Sequence, residues 1–348
     1  MTRSIARPTI FGTGLVALDL VIGMDNEAPV HSWTGGTCGN VLSIMAYLGW
    51  DAYPIARMNG DPASERVRID MGRWGVKLDF TDCAPTGHTP IIIQQIRRAR
   101  DGSPTHRFLW TCPHCGQRLP SYRPVTQHSI ERITPALQGA SVFFLDRVSR
   151  AALTLAAEAS RAGAVVVFEP SGKSEEKLFE EALQIAHVVK YSDQRLAETP
   201  AAKGGARATL LEIQTLGSHG LRYRHSLTGE LSDWHTLPAL PAPALVDTCG
   251  SGDWCTAGLL ARAASRGLEG LRGCGENELV GALRFGQALA AWNCGFEGAR
   301  GGMYALEKFE FDRQIDAIAS GKPVLRVIER PQDPEASVAC PACPPIAS

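Results

Sequence analysis

The residues best suited to chemistry lie in the segment Asp247-Thr248-Cys249-Gly250-Ser251-Gly252-Asp253, directly before an apolar helical stretch. Two glycines before a helix let the backbone turn tightly and expose its N–H groups, which attract phosphate together with the positive end of the helix dipole. Asp253 would start the helix, where a carboxylate can accept the proton of an attacking hydroxyl. The segment predicts phosphoryl transfer; the alternative is a plain loop in which Asp253 caps the helix.

The glycine spacing of this segment differs from two common nucleotide-binding motifs. It is not a P-loop, since G-x-x-x-x-G-K-[ST] is absent, and it lacks the dinucleotide fingerprint G-x-G-x-x-G. The segment Asp247–Asp253, called the anion-binding turn below, therefore matches neither motif.

Short β-rich runs alternate with helical segments along the chain, which predicts a mostly parallel sheet covered by helices. In such sheets ligands bind at the carboxyl ends of the strands. The predicted strands are Thr9–Phe11, Ser141–Leu145, Ala164–Phe168, Ile185–Val189 and Leu210–Leu216. The predicted helices are Asn40–Leu48, Ala63–Trp74, Ala151–Arg161, Asp253–Ala264 and Glu276–Asn293.

Two stretches break this alternation and predict a small β-sheet lid, at about residues 19–35 and 88–125. In the second stretch, Pro90–Ile96 and His106–Trp110 read as a hairpin around the turn Arg100–Pro104. The tail 330–348 is rich in Pro, Ala and Ser and predicts irregular structure. We therefore expect one catalytic domain over residues 1–329 and a separate tail.

Composition favours a globular protein. Hydrophobic residues make up 44% of the chain and charged residues 20%, which allows a substantial core. The formal net charge of −1 creates no overall attraction to nucleic acid or to anionic membranes. The first residues lack the apolar stretch of a secretory signal, and no segment has the roughly 18–20 apolar residues that span a bilayer. We expect a cytoplasmic protein.

Four motifs, in order along the chain, resemble those of the PfkB carbohydrate kinase family. The segment Asp247–Asp253 is similar to the family's C-terminal signature Asp-Thr-x-Gly-Ala-Gly-Asp, with Ser251 in place of Ala. The other three are Gly35-Gly36-Thr37-Cys38-Gly39-Asn40, Asn59-Gly60-Asp61 with Trp74-Gly75-Val76, and Thr215-Leu216-Gly217-Ser218-His219-Gly220. The resemblance covers roughly residues 10–300. It implies a ribokinase-like three-layer αβα sandwich with a mostly parallel central sheet and a small β-sheet lid.

The resemblance also implies roles for individual residues. Asp253 is the general base, and the amides from Cys249 to Gly252, which include Gly250 and Ser251, form the anion hole. The implied contacts to substrate hydroxyls are Asp19, Gly36 and Asn40. The implied ATP-site residues are Thr215, Gly217 and Gly220, with Asn293 at the adenine edge. A turn aspartate, a helix-capping asparagine and a solvent-facing asparagine are the alternatives for Asp19, Asn40 and Asn293.

The implied activity is ATP- and Mg²⁺-dependent phosphorylation of a hydroxyl on a small sugar or sugar-like substrate, in a homodimer formed through the lid. One departure from the family's motifs weakens this implied activity. Where the family commonly has Lys-x-Asn-x-x-Glu, this chain has Ser192 for the asparagine and Arg195 for the glutamate, and a cation cannot hold Mg²⁺. The alternatives are a nucleoside kinase of the same fold and a catalytically weak nucleotide- or sugar-binding sensor.

Two cysteine pairs fall outside these motifs. Cys112-Pro113-His114-Cys115-Gly116 has the form of a zinc knuckle, and Cys340-Pro341-Ala342-Cys343 repeats the spacing in the tail. We predict that Cys112, Cys115, Cys340 and Cys343 hold one structural zinc ion. Unrelated surface thiols, a disulfide, and a zinc-dependent module that recruits a partner are the alternatives.

Overall fold

The computed structural model describes residues 7–24, 30–58, 60–83, 88–100, 102–113, 115–171, 175–199 and 208–324. The tail 330–348, with Cys340 and Cys343, lies outside these residues, as do Asn59 and His114. The strands are β1 Thr9–Thr13, β2 Ala17–Ile22, β3 His31–Gly35, β4 Asp51–Met58, β5 Thr81–Cys83, β6 Ile91–Arg98, β7 Pro104–Leu109, β8 Val142–Leu145, β9 Val165–Phe168, β10 Val188–Ser192, β11 Leu211–Thr215, β12 Leu221–His225 and β13 His235–Leu237. The helices are α1 Thr37–Tyr47, α2 Pro62–Arg73, α3 His128–Ile133, α4 Arg150–Arg161, α5 Glu176–Ile185, α6 Ser251–Ala263, α7 Gly267–Arg272, α8 Glu276–Asn293, α9 Gly301–Ala305 and α10 Lys308–Ala319.

The main sheet has nine strands in the order β13-β12-β11-β10-β9-β8-β1-β4-β5. Strands β5, β4, β1, β8, β9, β10 and β11 run parallel, and β12 and β13 add an antiparallel edge beyond β11. The parallel strands bring their carboxyl ends to one edge of the sheet, which is where ligands bind in such sheets.

Helices cover both faces of this sheet. In β8, Val142 and Phe144 belong to a core cluster with residues of α1, α6 and α8, whereas Phe143 and Leu145 belong to a second cluster with residues of α3, α4 and α5. Successive residues of a strand point to opposite faces, so each buried strand contributes to both clusters. The predicted three-layer sandwich with a mostly parallel sheet is confirmed.

The predicted lid is a four-stranded sheet in the order β3-β2-β6-β7. Strand β2 runs antiparallel to β3 and parallel to β6, and β6 and β7 form the expected hairpin. The hairpin turn is closed by bonds from Ala99 N to Ser103 O (2.8 Å) and from Gly102 N to Ala99 O (3.0 Å). No helix within the described ranges is long and apolar enough to cross a membrane.

One predicted strand was placed too early in the chain. The apolar run Ile185–Val189 is divided by the structure, because Ile185 ends α5 and the strand runs from Val188 to Ser192. The N–H of Ala186 still bonds to Ala182 O (2.9 Å), which continues the helical pattern to that point. Strand pairing starts with Val188, which lies opposite Val167 on β9.

Helix α6, which follows the anion-binding turn, packs closely against α8 at two glycines. A Cβ atom on Gly258 would lie 2.6 Å from the Cα of Gly286, and one on Gly286 would lie 2.4 Å from the carbonyl oxygen of Cys255. Neither position has room for a methyl group. The two glycines therefore set the distance between α8 and the helix that carries Asp253.

We expect Gly258→Ala to lower the free energy of unfolding by about 1–3 kcal/mol, because the methyl group would force the two helices apart. Chemical denaturation monitored by circular dichroism measures the effect. Gly281→Ala, on α8, is the control: Gly281 is exposed with nothing within 4 Å of an added Cβ, so the higher helix propensity of alanine should leave stability unchanged or raise it. Equal destabilisation by both substitutions would contradict this packing argument.

Candidate active site

The anion-binding turn ends in a conformation that requires glycine. Gly250 has φ 74° in the left-handed region, and a Cβ atom there would lie 2.4 Å from the carbonyl oxygen of Ala299. Helix α6 begins at the next residue, Ser251. The N–H groups of a first helical turn have no acceptor within the helix, so Gly252 and Asp253 present donors at the positive end of α6.

The carboxylate of Asp247 holds this turn in place and is 1% exposed. Its Oδ1 accepts the N–H of Cys249 (3.0 Å), and its Oδ2 accepts the N–H of Gly298 (3.0 Å) and a side-chain N–H of Gln94 (2.6 Å). The Nδ1 atom of His106 lies 3.4 Å from Oδ1. Since Gln94 and His106 belong to the lid strands β6 and β7, the same carboxylate shapes the turn and contacts the lid. The amide of Cys249 is thus engaged by Asp247.

Asp253 lies in the first turn of α6 and is 8% exposed. Its Oδ2 accepts a hydrogen bond of 2.7 Å from the side-chain amide of Asn40, and within the described part of the chain its Oδ1 accepts none. Burial, followed by the nearby charge of Glu169, raises the pKa of Asp253 to about 8, against the opposing effects of the Asn40 bond and of Lys190. A carboxyl group with this pKa and one free oxygen is suited to accept a proton near neutral pH.

A buried ion pair lies beneath the turn. The Nζ atom of Lys190 is 2.6 Å from Oε1 of Glu169, and the hydroxyl of Thr256 donates to Oε2 over 2.6 Å. A Cβ atom on Gly252 would lie 3.5 Å from this Nζ, so the ammonium group is directly below the first turn of α6. Burial alone would lower the pKa of Lys190, but the charge of Glu169 raises it, which keeps the ammonium group charged.

The predicted substrate residues converge on the same edge of the sheet. Asp19 on β2 is 6% exposed and packs directly on Gly35, where a Cβ atom would lie 1.8 Å from its Cγ. Burial raises the pKa of Asp19 to about 7, partly opposed by Arg300 and by the N–H of Gly36, and its Oδ1 has no partner among the described residues. The pKa of the Cys249 thiol, raised first by burial, is raised further by Asp247, Asp19 and Asp253, so this thiol lies close to all three carboxylates.

Gly36 and Asn40 connect the lid to this cleft. Gly36 has φ 75°, and a Cβ atom there would lie 2.4 Å from the carbonyl oxygen of Leu15, so only glycine fits between β3 and α1. The N–H of Asn40 bonds to Gly36 O (2.8 Å), and its side chain reaches Asp253. The structure therefore brings Asn40 to the predicted base.

Asp146 is a buried carboxylate at the same edge of the sheet that the sequence analysis missed. It follows β8, is 2% exposed, and its Oδ1 accepts the N–H of Leu15 (2.9 Å) while its Oδ2 accepts from Arg147 (2.9 Å). A Cβ atom on Gly14 would lie 1.6 Å from Oδ1, so the two chain segments are in direct contact. The signal that could have found it is an aspartate immediately after a buried strand, at the edge where ligands bind.

The predicted nucleotide residues fall into two groups. Thr215 ends β11, and Gly217 opens a short 3₁₀ turn closed by the bond from Leu216 N to Gly220 O (2.8 Å). Gly220 has φ 97° and lies against Leu237, whose carbonyl oxygen would be 2.1 Å from an added Cβ. This turn follows the strand next to β10 and so lies on the same edge as the Lys190 pair.

Asn293 lies elsewhere, at the end of α8 and completely buried. Its side-chain N–H donates to the carbonyl oxygen of Cys249 over 3.0 Å. This bond supports a role in holding the anion-binding turn, and contact with adenine stays a prediction.

The cysteine pair after β7 adopts a tight turn. The N–H of Gly116 bonds to Cys112 O (2.9 Å), the N–H of Cys112 bonds to Gln117 O (2.8 Å), and Gly116 has φ 69°. Cys112 is buried and Cys115 is exposed. The described residues contain no group of three or more metal-binding side chains, and Cys340 and Cys343 lie outside them. The four-cysteine zinc site stays a prediction.

Comparisons with known proteins agree with this geometry. The sequence model of the pfkB family carbohydrate kinase matches residues 22–305. A fructokinase of Klebsiella pneumoniae is 27% identical over 270 residues, which cover 70% of this chain and 81% of the relative.

Solved structures share the fold. A fructokinase from Xylella fastidiosa with bound ATP has a TM-score of 0.66 at 19% identity, covering 84% of this chain and 94% of that one. An aminoimidazole riboside kinase from Salmonella enterica, complexed with aminoimidazole riboside and an ATP analog, has a TM-score of 0.63 at 19% identity, covering 88% and 99%. Because the family match spans most of the chain, from the lid through the anion-binding turn, this protein belongs to the pfkB family of carbohydrate kinases.

Proposed function

We propose that this protein transfers the γ-phosphoryl group of ATP to a hydroxyl of a small sugar or sugar-like substrate, with Asp253 as the general base. The observation that carries the proposal is the state of the Asp253 carboxyl group. It is buried in the first turn of α6, one oxygen is bound by Asn40, and the other accepts no hydrogen bond from the described residues.

In the proposed step, the substrate hydroxyl donates its hydrogen bond to Oδ1 of Asp253. As the new bond forms between the hydroxyl oxygen and the γ-phosphorus, the proton passes to Oδ1 and the bond from the γ-phosphorus to the bridging oxygen breaks, which releases ADP. The N–H groups of Gly250 and Gly252 and the ammonium group of Lys190 would oppose the negative charge of the transferred group, whereas the N–H of Ser251 already donates to the carbonyl oxygen of Thr248 over 3.3 Å.

Mg²⁺ would enter this site with ATP. Glu169, whose charge acts on Asp253, accepts a hydrogen bond from Lys190 on one oxygen and from Thr256 on the other, so both oxygens are engaged within the protein. In kinases Mg²⁺ usually keeps several waters and binds substrate phosphates together with one or two carboxylates, so it can enter with ATP through the phosphate oxygens. The proposed step therefore assigns Mg²⁺ no ligand from the protein.

A polyhydroxy substrate fits the side of the cleft that faces Asp253. The Oδ1 atom of Asp19 is buried and has no hydrogen-bond partner in the described part of the chain, and such an oxygen can accept a substrate hydroxyl. The relatives named above are fructokinases and a riboside kinase, so both a free sugar and a nucleoside-like riboside are candidate substrates. A homodimer formed through the lid stays a prediction.

The direct test is ADP formation from Mg-ATP by the purified protein across a panel of hexoses, pentoses, sugar acids and nucleosides. We expect one sugar-like class to stimulate ADP formation, and Asp253→Asn to reduce kcat by roughly 10²–10⁴-fold because the base is lost while its shape is kept. Asp233→Asn, at an exposed carboxylate, is the matched control and should keep full activity. ATP binding with no turnover on any substrate would favour the sensor instead.

The pKa of Asp253 predicts how activity changes with pH. A base acts in its deprotonated form. We therefore expect kcat/KM to be low at acidic pH and to rise as the pH increases through about 8. Asp19 is the second carboxyl group with a raised pKa, at about 7, so Asp19→Asn is the control and should leave the limb near 8 in place. A limb near the ordinary pKa of an aspartate would argue against Asp253 as the base.

Arg195 is expected to assist phosphate binding. It is exposed after β10, and its charge lowers the pKa of Asp253, so the guanidinium group lies near the catalytic carboxylate. We expect Arg195→Gln to raise the KM for ATP several-fold with a smaller change in kcat, since the arginine would contact phosphate oxygens directly. Steady-state kinetics with saturating sugar measures both constants. Arg161→Gln, on the exposed end of α4, is the control, and equal effects of the two substitutions would refute a specific role.

A further inference from the structure

Arg300, which precedes α9, is a buried cation that the proposed step does not use. It is 1% exposed, and its guanidinium group contacts three different elements. Nη2 donates to the carbonyl oxygen of Thr34 on β3 and to Oδ2 of Asp70 on α2 (2.8 Å), while Nε donates to Oδ1 of Asn40 on α1 (3.2 Å). Nη1 is buried without a partner in the described part of the chain.

The carboxylate of Asp70 accepts further hydrogen bonds in this cluster. Oδ2 of Asp70 also accepts the N–H of Thr34 (2.8 Å), and Oδ1 accepts the hydroxyl of Tyr304 (2.8 Å). The Arg300 charge and these bonds lower the pKa of Asp70 despite its burial. Arg300 is therefore held by an ionised carboxylate in one position and one orientation.

That orientation determines which way the Asn40 amide faces. With Arg300 donating to Oδ1, the amide nitrogen of Asn40 must face Oδ2 of Asp253, where the structure has it at 2.7 Å. The flipped amide would set its NH₂ group against the guanidinium and its oxygen against the carboxylate, so both contacts would be repulsive. Asp70, Arg300, Asn40 and Asp253 thus form one chain of donors and acceptors with a single satisfied arrangement.

From this geometry we propose that Arg300 is a positioning residue for the catalytic base, which it controls by fixing the amide of Asn40. The fixed amide occupies Oδ2 of Asp253, so Oδ1 is left to receive the proton of the substrate hydroxyl. The amide also stabilises the deprotonated form of Asp253, because it donates to a carboxylate. The effect of Arg300 on kcat rests on the proposed function. Its effect on the pKa of Asp253 does not.

Other charged and titratable groups also face Asp253 and act on its pKa independently of Arg300. They come from the segment after β9, from β10 and the turn after it, from α1 and from the anion-binding turn: Glu169, Lys190, Arg195, Cys38 and Cys249. A test must therefore change Arg300 and leave these groups unaltered.

The first experiment is a pH titration of protein labelled with ¹³C at the aspartate carboxyl carbons, followed by NMR, with the Asp253 signal assigned through Asp253→Asn. Arg300→Lys keeps the charge beside Asp70 but lacks the planar fork that reaches Thr34, Asp70 and Asn40 together. We expect it to raise the pKa of Asp253 by about one unit, the worth of one hydrogen bond to a charged group. Tyr304→Phe, which removes a bond to Asp70 and none to Asn40, should lower stability and leave this pKa unchanged.

A second variant keeps the test decisive where Arg300→Lys fails to fold. The pair Asp70→Asn with Arg300→Met removes both buried charges together, so neither is left uncompensated. It should give the same upward shift of the Asp253 pKa. In the background of Asn40→Ala, Arg300→Lys should have no further effect, because its action passes through the amide.

The kinetic arm uses kcat as a function of pH. Arg300→Lys should reduce kcat at neutral pH by about tenfold per unit of pKa shift and approach the wild-type kcat at high pH, where Asp253 is deprotonated regardless. An unchanged Asp253 pKa in Arg300→Lys, or equal shifts in Tyr304→Phe, would overturn the proposal. Absence of phosphoryl transfer in the wild-type protein would overturn the proposed function instead, and the NMR titration would still decide the role of Arg300.

Discussion

One buried carboxylate, that of Asp247, connects the parts of the site that must act together. It bonds to the anion-binding turn at Cys249, to the loop before α9 at Gly298 and to the lid at Gln94. A buried charge without such partners would carry a large desolvation cost, so all three segments are required around it at once. The lid and the phosphate site are therefore parts of one electrostatic unit, although 153 residues separate Gln94 from Asp247.

The fold could be predicted where local patterns were unambiguous. Helix α8 has the predicted bounds, Glu276–Asn293, because it is long and bounded by Gly275, which caps its first turn, and Cys294. Strand β4 was missed because Pro54 and Arg57 interrupt an apolar pattern, yet it pairs with both β1 and β5 inside the main sheet. The shift of β10 arose because the apolar run that begins at Ile185 serves first α5 and then the strand, and periodicity cannot divide so short a run.

The candidate site was predictable as far as its motifs reached. Asp19 and Asp253, far apart in the sequence, lie beside the same thiol of Cys249, as a shared site requires. Arg300 and Asp70 could not be found in this way, because their roles depend on contacts across 230 residues and neither belongs to a recognisable local pattern. Asn293 looked like a residue at a helix end but is fully buried, since the turn folds over it, and nothing in its neighbours along the chain indicates that.

The contact between Gly258 and Gly286 has a consequence for how the site meets its ligand. Where two helix backbones touch, a change of side-chain rotamer cannot alter the distance between them when a phosphate group binds. The N–H donors at the start of α6 are consequently fixed in position before a phosphate group binds. The free-energy cost of orienting them is met when the protein folds. Adjustment to substrates of different shape would then fall to the lid, whose strands β6 and β7 reach the anion-binding turn through the side chains of Gln94 and His106.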